Sequence, residues 1–196
     1  MRHSVIAAAL LAAACLPAFG ADLPLLHPDR DVAVVYRAEG SSEGGRAPQS
    51  GTIRMYWGDQ GNKLRVELSG QPVVALIDFK RQRMGMLFEP GKVFFETKLD
   101  PRLVPGFVLP ADANVTRAGT DTVAGVGCTV WDLSGRRGTG SACITQDGVV
   151  LRAMGEAAKE GSGRLEAVSI TYTPQPDSLF AAPPDFRRMD PGTPRR

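Results

Sequence analysis

The chain has 196 residues, of which 23 are Lys or Arg and 21 are Asp or Glu, for a formal net charge of +2. The charges nearly cancel, so no strong field of either sign draws nucleic acid or anionic lipid to it. The length suits one domain with a proper core rather than two.

Residues 1–20 read as an export signal. Met1-Arg2-His3-Ser4 is a short basic start, Val5 to Leu16 is an apolar run too short to span a bilayer, and Ala18 and Gly20 are the small residues of a cleavage site. Cleavage after Gly20 leaves a mature chain beginning at Ala21. Cys15 opens a second route, a lipoprotein anchored at that cysteine. Against it stand Ala12, where a large aliphatic is usual, and the poor polar tether Leu16-Pro17-Ala18-Phe19. An uncleaved buried helix is the third reading. No apolar run long enough for a transmembrane helix follows the signal. The mature protein is therefore expected in the periplasm, an oxidising space where a disulfide persists.

Period-two alternation then dominates, with no convincing long amphipathic helix. Asp31–Glu39 is the first predicted strand, Gly40–Gly51 a polar flexible loop, and Thr52–Trp57 the second strand. Lys63–Leu68 alternates most cleanly, after a turn at Asp59-Gln60-Gly61-Asn62. Val73–Phe79, Arg83–Glu89 and Lys92–Lys98 follow, the last two joined by a predicted type II turn with Pro90 and Gly91 at its centre. Leu99–Ala113 carries Pro101, Pro105 and Pro110 and reads as an irregular crossover. Strands are then expected at 114–118, 122–124, 149–154 and 164–173, with Asp147-Gly148 as a type I′ hairpin turn. The fold class is mainly β, an antiparallel meander with few short helical segments. Residues 21–189 are expected to form a single domain, and 190–196 a loose basic tail.

Cys128 and Cys143 fall at opposite ends of one predicted hairpin, and the third cysteine, Cys15, lies in the signal. A four-residue loop, Ser134 to Arg137, makes them direct partners in a non-hydrogen-bonded pair, where side chains approach most closely. The spacing predicts a disulfide.

Little else in the chain carries chemistry. His3 leaves with the signal, and His27 lies in a peripheral leader, so a Ser-His or Cys-His pair has no well-placed base. No CxxC or histidine cluster suggests a metal. The carboxylates Asp78/Glu89 and Glu67/Asp59 belong to turns or outward strand positions and read as a solvated face. Gly125-Val126-Gly127 and Gly138-Thr139-Gly140 have no following helix to complete a phosphate loop. No enzyme activity, cofactor or metal is expected.

Large soft side chains do concentrate, however. Met84, Met86 and Phe88 lie beside Phe94 and Phe95 on the next strand and Met55 and Trp57 on an earlier one. Such surfaces adapt to irregular apolar ligands. Consecutive Phe94 and Phe95 must point to opposite faces. The inward members either line an acyl-binding concavity or pack as ordinary core beneath the crossover.

Four segments resemble a family of uncharacterised exported bacterial proteins carrying a domain of unknown function. They are Asp31–Arg37, Thr122–Trp131, Ala142–Arg152 and Ser178–Pro183. Their order, a Val-Ala-Gly strand, a polar hairpin, an Asp-Gly hairpin and a Phe-x-x-Pro ending, is similar to that of the LolA/LolB-like lipoprotein-carrier superfamily. The resemblance implies a curved antiparallel half-barrel around an apolar cavity closed by helices. This chain departs from it in showing little helix, and no acyl-contacting residue of the carriers matches a position here. The expectation is a non-enzymatic periplasmic protein that binds a lipid, a lipoprotein acyl chain or a hydrophobic protein segment. The alternative is a structural or envelope-sensing module that meets an envelope protein without a ligand cavity.

Overall fold

In the computed structural model, residues 23–25, 27–41, 49–100, 114–135, 138–157 and 161–189 are described. The expected export signal with Cys15 and its expected cleavage site, most of the expected crossover and the expected basic tail lie outside them. No helix among the described residues is long and apolar enough to cross a membrane.

The alternation predicted for the chain resolves into strands β1 (Val32–Ser41), β2 (Gln49–Gly58), β3 (Lys63–Leu68), β4 (Val73–Asp78), β5 (Arg83–Phe88) and β6 (Val93–Lys98). After the crossover come β7 (Asn114–Val123), β8 (Val126–Gly135), β9 (Gly138–Ile144), β10 (Val150–Ala157), β11 (Gly161–Thr171) and the short β12 (Arg187–Met189). All twelve belong to one open, curved sheet in the order β12-β6-β5-β4-β3-β2-β1-β11-β10-β9-β8-β7. Each pairing is antiparallel except β12 on β6. Two meanders, β1–β6 and β7–β11, thus join along the β1–β11 seam. Helical structure among the described residues is limited to 3₁₀ turns at Glu89–Gly91 and Asp177–Phe180.

Several local expectations are corrected. The first strand pair runs on into the polar segment, with Gly40 opposite Gln49 and Ser41 opposite Ser162. Backbone pairing on both sides of β1 orders residues whose side chains bury little. Strand β7 is continuous across the expected break, bulged between Arg117 and Gly119. The turn at Pro90-Gly91 is 3₁₀ rather than type II, because Lys92 and not Gly91 takes positive φ, at 44°. Gly148 alone is left-handed at the Asp147-Gly148 turn (φ 85°), and its N–H donates to the Thr145 carbonyl. A type I′ turn needs positive φ at both central residues. That condition is met instead at Ala124 and Gly125 (φ 48° and 78°), where the sequence reading continued a strand.

Cys128 and Cys143 are bonded, with Cα atoms 5.4 Å apart. Their register differs from the expected one. Val130 faces Cys143 and Gly135 faces Gly138, so the loop holds two residues and the cysteines are diagonal neighbours. A slip of two residues leaves every side chain on its face. Hydrophobic pattern therefore cannot separate the two registers.

Below the seam, apolar residues stack in rows across the strands. Val34, Met55, Val66, Ala75, Met86 and Phe95 follow one another in register from β1 to β6. Val32, Trp57, Leu64, Ile77 and Met84 form the adjacent row. Phe95 apart, these two rows are the centre of the main core. The opposite face carries a smaller cluster, Val74, Leu76, Leu87 and Phe94, against Ala182 and Phe186 of the C-terminal arm.

Candidate functional site

Of the seven apolar residues singled out in the sequence, six share one face. Met55 and Trp57 (β2) and Met84 (β5) are buried in the core. Met86 and Phe88 on β5 and Phe95 on β6 are only half-buried. Phe88 meets Phe95 edge-on at 5.4 Å between ring centroids, inside the range such pairs prefer. The row that starts as solid core at Met55 therefore reaches solvent at Met86 and Phe95. Phe94 is the exception. It points to the other face, where Arg188 lies 5.1 Å over its ring. Its ring also fills the space a Cβ at Gly85 would need, with Cε2 2.5 Å from that position.

The leader seals one end of the same core. His27 stacks on Trp57 at 5.9 Å and on Phe79 at 5.5 Å. It is a packed ring, not the peripheral leader histidine expected from its position in the sequence. Two turns make room for it. A Cβ at Gly61 would stand 1.7 Å from the Pro28 carbonyl oxygen, and one at Gly148 2.4 Å from that of His27. The Asp29 N–H then donates to the Asp147 carbonyl. The only trace of this in the sequence is glycine at both turns. Deeper in the core, the Tyr36 hydroxyl donates to the Val150 carbonyl at 2.8 Å. Burial, with a smaller contribution from Tyr172, pushes that phenol well above its ordinary pKa.

On the opposite face, residues 177–189 cross the sheet as an arm. Lys63 pairs with Asp177 at 2.7 Å, Arg65 donates to the Leu179 carbonyl, Lys92 pairs with Asp185, and Arg188 pairs with Glu96 at 3.3 Å. Hydrogen bonds from Lys63 and Lys92 hold the Asp177 and Asp185 carboxyls below the usual carboxylate range. Arg152 bonds Asp121 and Glu166, and Arg164 adds a second bond to Glu166. Glu166 is lowered by Arg152 first and Arg164 second, and Asp121 by the Thr122 N–H first and Arg152 second. These are surface ion pairs. No cluster of three metal-ligating side chains occurs among the described residues. Two open cavities, of about 490 and 310 Å³, lie around Gly155 and Gly163 and around Arg54 and Gly70, and none of the seven residues lines either.

No protein-family model matches the chain, and no curated protein matches it significantly. Solved structures do. An uncharacterized conserved protein from Thermus thermophilus is similar at a TM-score of 0.58 and 12% identity, over 83% of this chain and 91% of that one. PNGF-II follows at 0.51 and 17% identity, over 82% of this chain and 31% of its own. MucB stands at 0.50 and 12%, over 82% of this chain and 60% of its own. The chain thus spans most of the Thermus protein, less than two thirds of MucB and about a third of PNGF-II. Identities this low carry the fold alone.

Proposed function

We propose that this is a non-enzymatic envelope protein, a fold relative of the LolA/LolB-like carriers. Its open sheet receives an apolar chain, either a lipid acyl group or a hydrophobic protein segment. One observation carries the reading: the Met55–Val66–Ala75–Met86–Phe95 row runs unbroken out of the core into a half-exposed Met86/Phe88/Phe95 patch. Thioether and aromatic groups there adapt to an acyl chain at little cost in packing. On this reading the bound chain lies in a slot along that patch of the sheet face. Export by a signal cleaved after Gly20 fits the disulfide, which belongs to an oxidising compartment. Titration with a fluorescent fatty-acid probe tests the reading. Saturable binding, weakened by Met86→Ala and Phe88→Ala with folding intact, is expected; absence of binding to the wild type rejects it.

A second reading, an interaction module without a ligand, has its own observation. The edge strand β7 is exposed along almost its whole length, with only Val123 buried. Such an edge can add a strand from a partner. A protein that ignores the probe but binds an envelope protein through β7 would favour this reading.

A further inference from the structure

We infer that the C-terminal arm, residues 177–189, is a detachable latch. It opens from a folded sheet, and in doing so uncovers the Leu76–Leu87–Phe94 face and the β6 edge. This concerns the face opposite the proposed apolar slot and stands independently of it.

Beyond the packing of Ala182 and Phe186 on the Leu76–Leu87–Phe94 cluster, the arm has little purchase of its own. Strand β12 pairs with β6 through only three residues, in parallel, on an edge. The 3₁₀ turn at Asp177–Phe180 buries none of its residues. Beside one half-buried hydrogen bond from Arg65 to the Leu179 carbonyl, its side-chain ties are exposed ion pairs: Asp177 is 90% exposed in its pair with Lys63, and Arg188 is 73% exposed in its pair with Glu96. Such pairs are screened by salt. The ladder of the sheet beneath does not depend on the arm, since β3 to β6 are paired to one another.

One keyhole adds specificity. The Phe180 ring occupies the space above Gly58, where a Cβ would meet Cε2 at 2.4 Å. Gly58 has no positive φ, so alanine there disturbs the ring and not the strand. Pro174 and Pro176 flank Gln175, whose N–H is held by Asp31. The hinge of the latch therefore stays anchored when the arm swings.

Amide hydrogen exchange of the full protein, read by mass spectrometry, tests this. At low salt the arm amides, Arg187 included, should exchange at least about tenfold faster than those of β3 and β4. Raising NaCl to about 0.5 M should speed the arm roughly threefold or more and leave the sheet unchanged. Gly58→Ala should do the same without salt. If that variant does not fold, Asp177→Asn/Asp185→Asn, which alters exposed groups only, decides the matter. Arm and sheet exchanging at one common rate, or responding together to salt and substitution, would overturn the latch.

Discussion

Asp121 on β7 and Arg152 on β10 bond at 2.5 Å although β8 and β9 lie between their strands. Adjacent strands are about 4.8 Å apart, so a flat sheet would hold β7 and β10 roughly 14 Å from each other. The Arg152 and Asp121 side chains reach across part of that gap, and the curl of the sheet closes the rest. In register, Asp121 faces Cys128 and Arg152 faces Cys143. The ion pair therefore spans the disulfide, whose cysteines are 7% and 3% exposed.

Access to this disulfide requires opening of the sheet. A mild thiol reductant should leave it intact in the native protein and reduce it readily in urea, as followed by thiol titration. Cys128→Ser/Cys143→Ser should fold but lose up to roughly 3 kcal/mol in urea denaturation, the loop-closure value for this separation. Undiminished stability would mean that the ion pair and ladder alone hold the curl.

Truncation should separate core from slot along a single row. Met55→Ala removes a side chain 2% exposed and should cost about 2–5 kcal/mol. Met86→Ala, two steps further along the row than Val66, should cost much less and weaken the fatty-acid probe. Equal losses at both positions would identify Met86 as ordinary core.

Tyr36→Phe leaves the buried Val150 carbonyl without its hydroxyl donor and should cost roughly 1–2 kcal/mol. It should also change the alkaline limb. The folded pKa is raised, so the wild type keeps this contribution below the unfolded value near 10 and loses it as pH rises beyond that. Thermal midpoints between about pH 9 and 11 should fall less steeply in the variant.

At the acid end the sign reverses. Asp121, Glu166, Asp177 and Asp185 have lowered folded pKa values. Their contribution is present above the unfolded carboxylate value of about 4 and is lost as pH falls through the lower folded values. Acid should therefore loosen the C-terminal arm and the β7–β10–β11 network, and Asp177→Asn/Asp185→Asn should flatten the arm's share of that dependence. Exchange rates measured stepwise from about pH 5 downward check this.

The strands were legible because alternation writes a half-buried strand directly into sequence, as in Lys63–Leu68 with Leu64 and Val66 inward. The disulfide partners were legible from hairpin spacing, but their register was not, since a two-residue slip keeps both cysteines on one face. Ala124 in a left-handed turn was invisible because alanine has no preference for that conformation. In the apolar site, alternation forced Phe94 and Phe95 apart but could not say which joined Met86. His27 and the arm escaped for a different reason. Their roles rest on contacts between segments far apart in the chain, and a missing Cβ at Gly58, Gly61 or Gly148 gives no periodic signal.

The β1–β11 seam carries a kinetic consequence. Strands β1 to β6 and β7 to β11 each pair with their chain neighbours, so each meander can form from local contacts. The seam joins Ala33 to Thr171, a separation that makes it the slow closure of the fold. Until β11 arrives, β1 offers a bare hydrogen-bonding edge beside Val34 and Tyr36. A chain interrupted before residue 161 would keep that edge permanently open, and aggregation of such fragments through β1 is the expected failure of this topology.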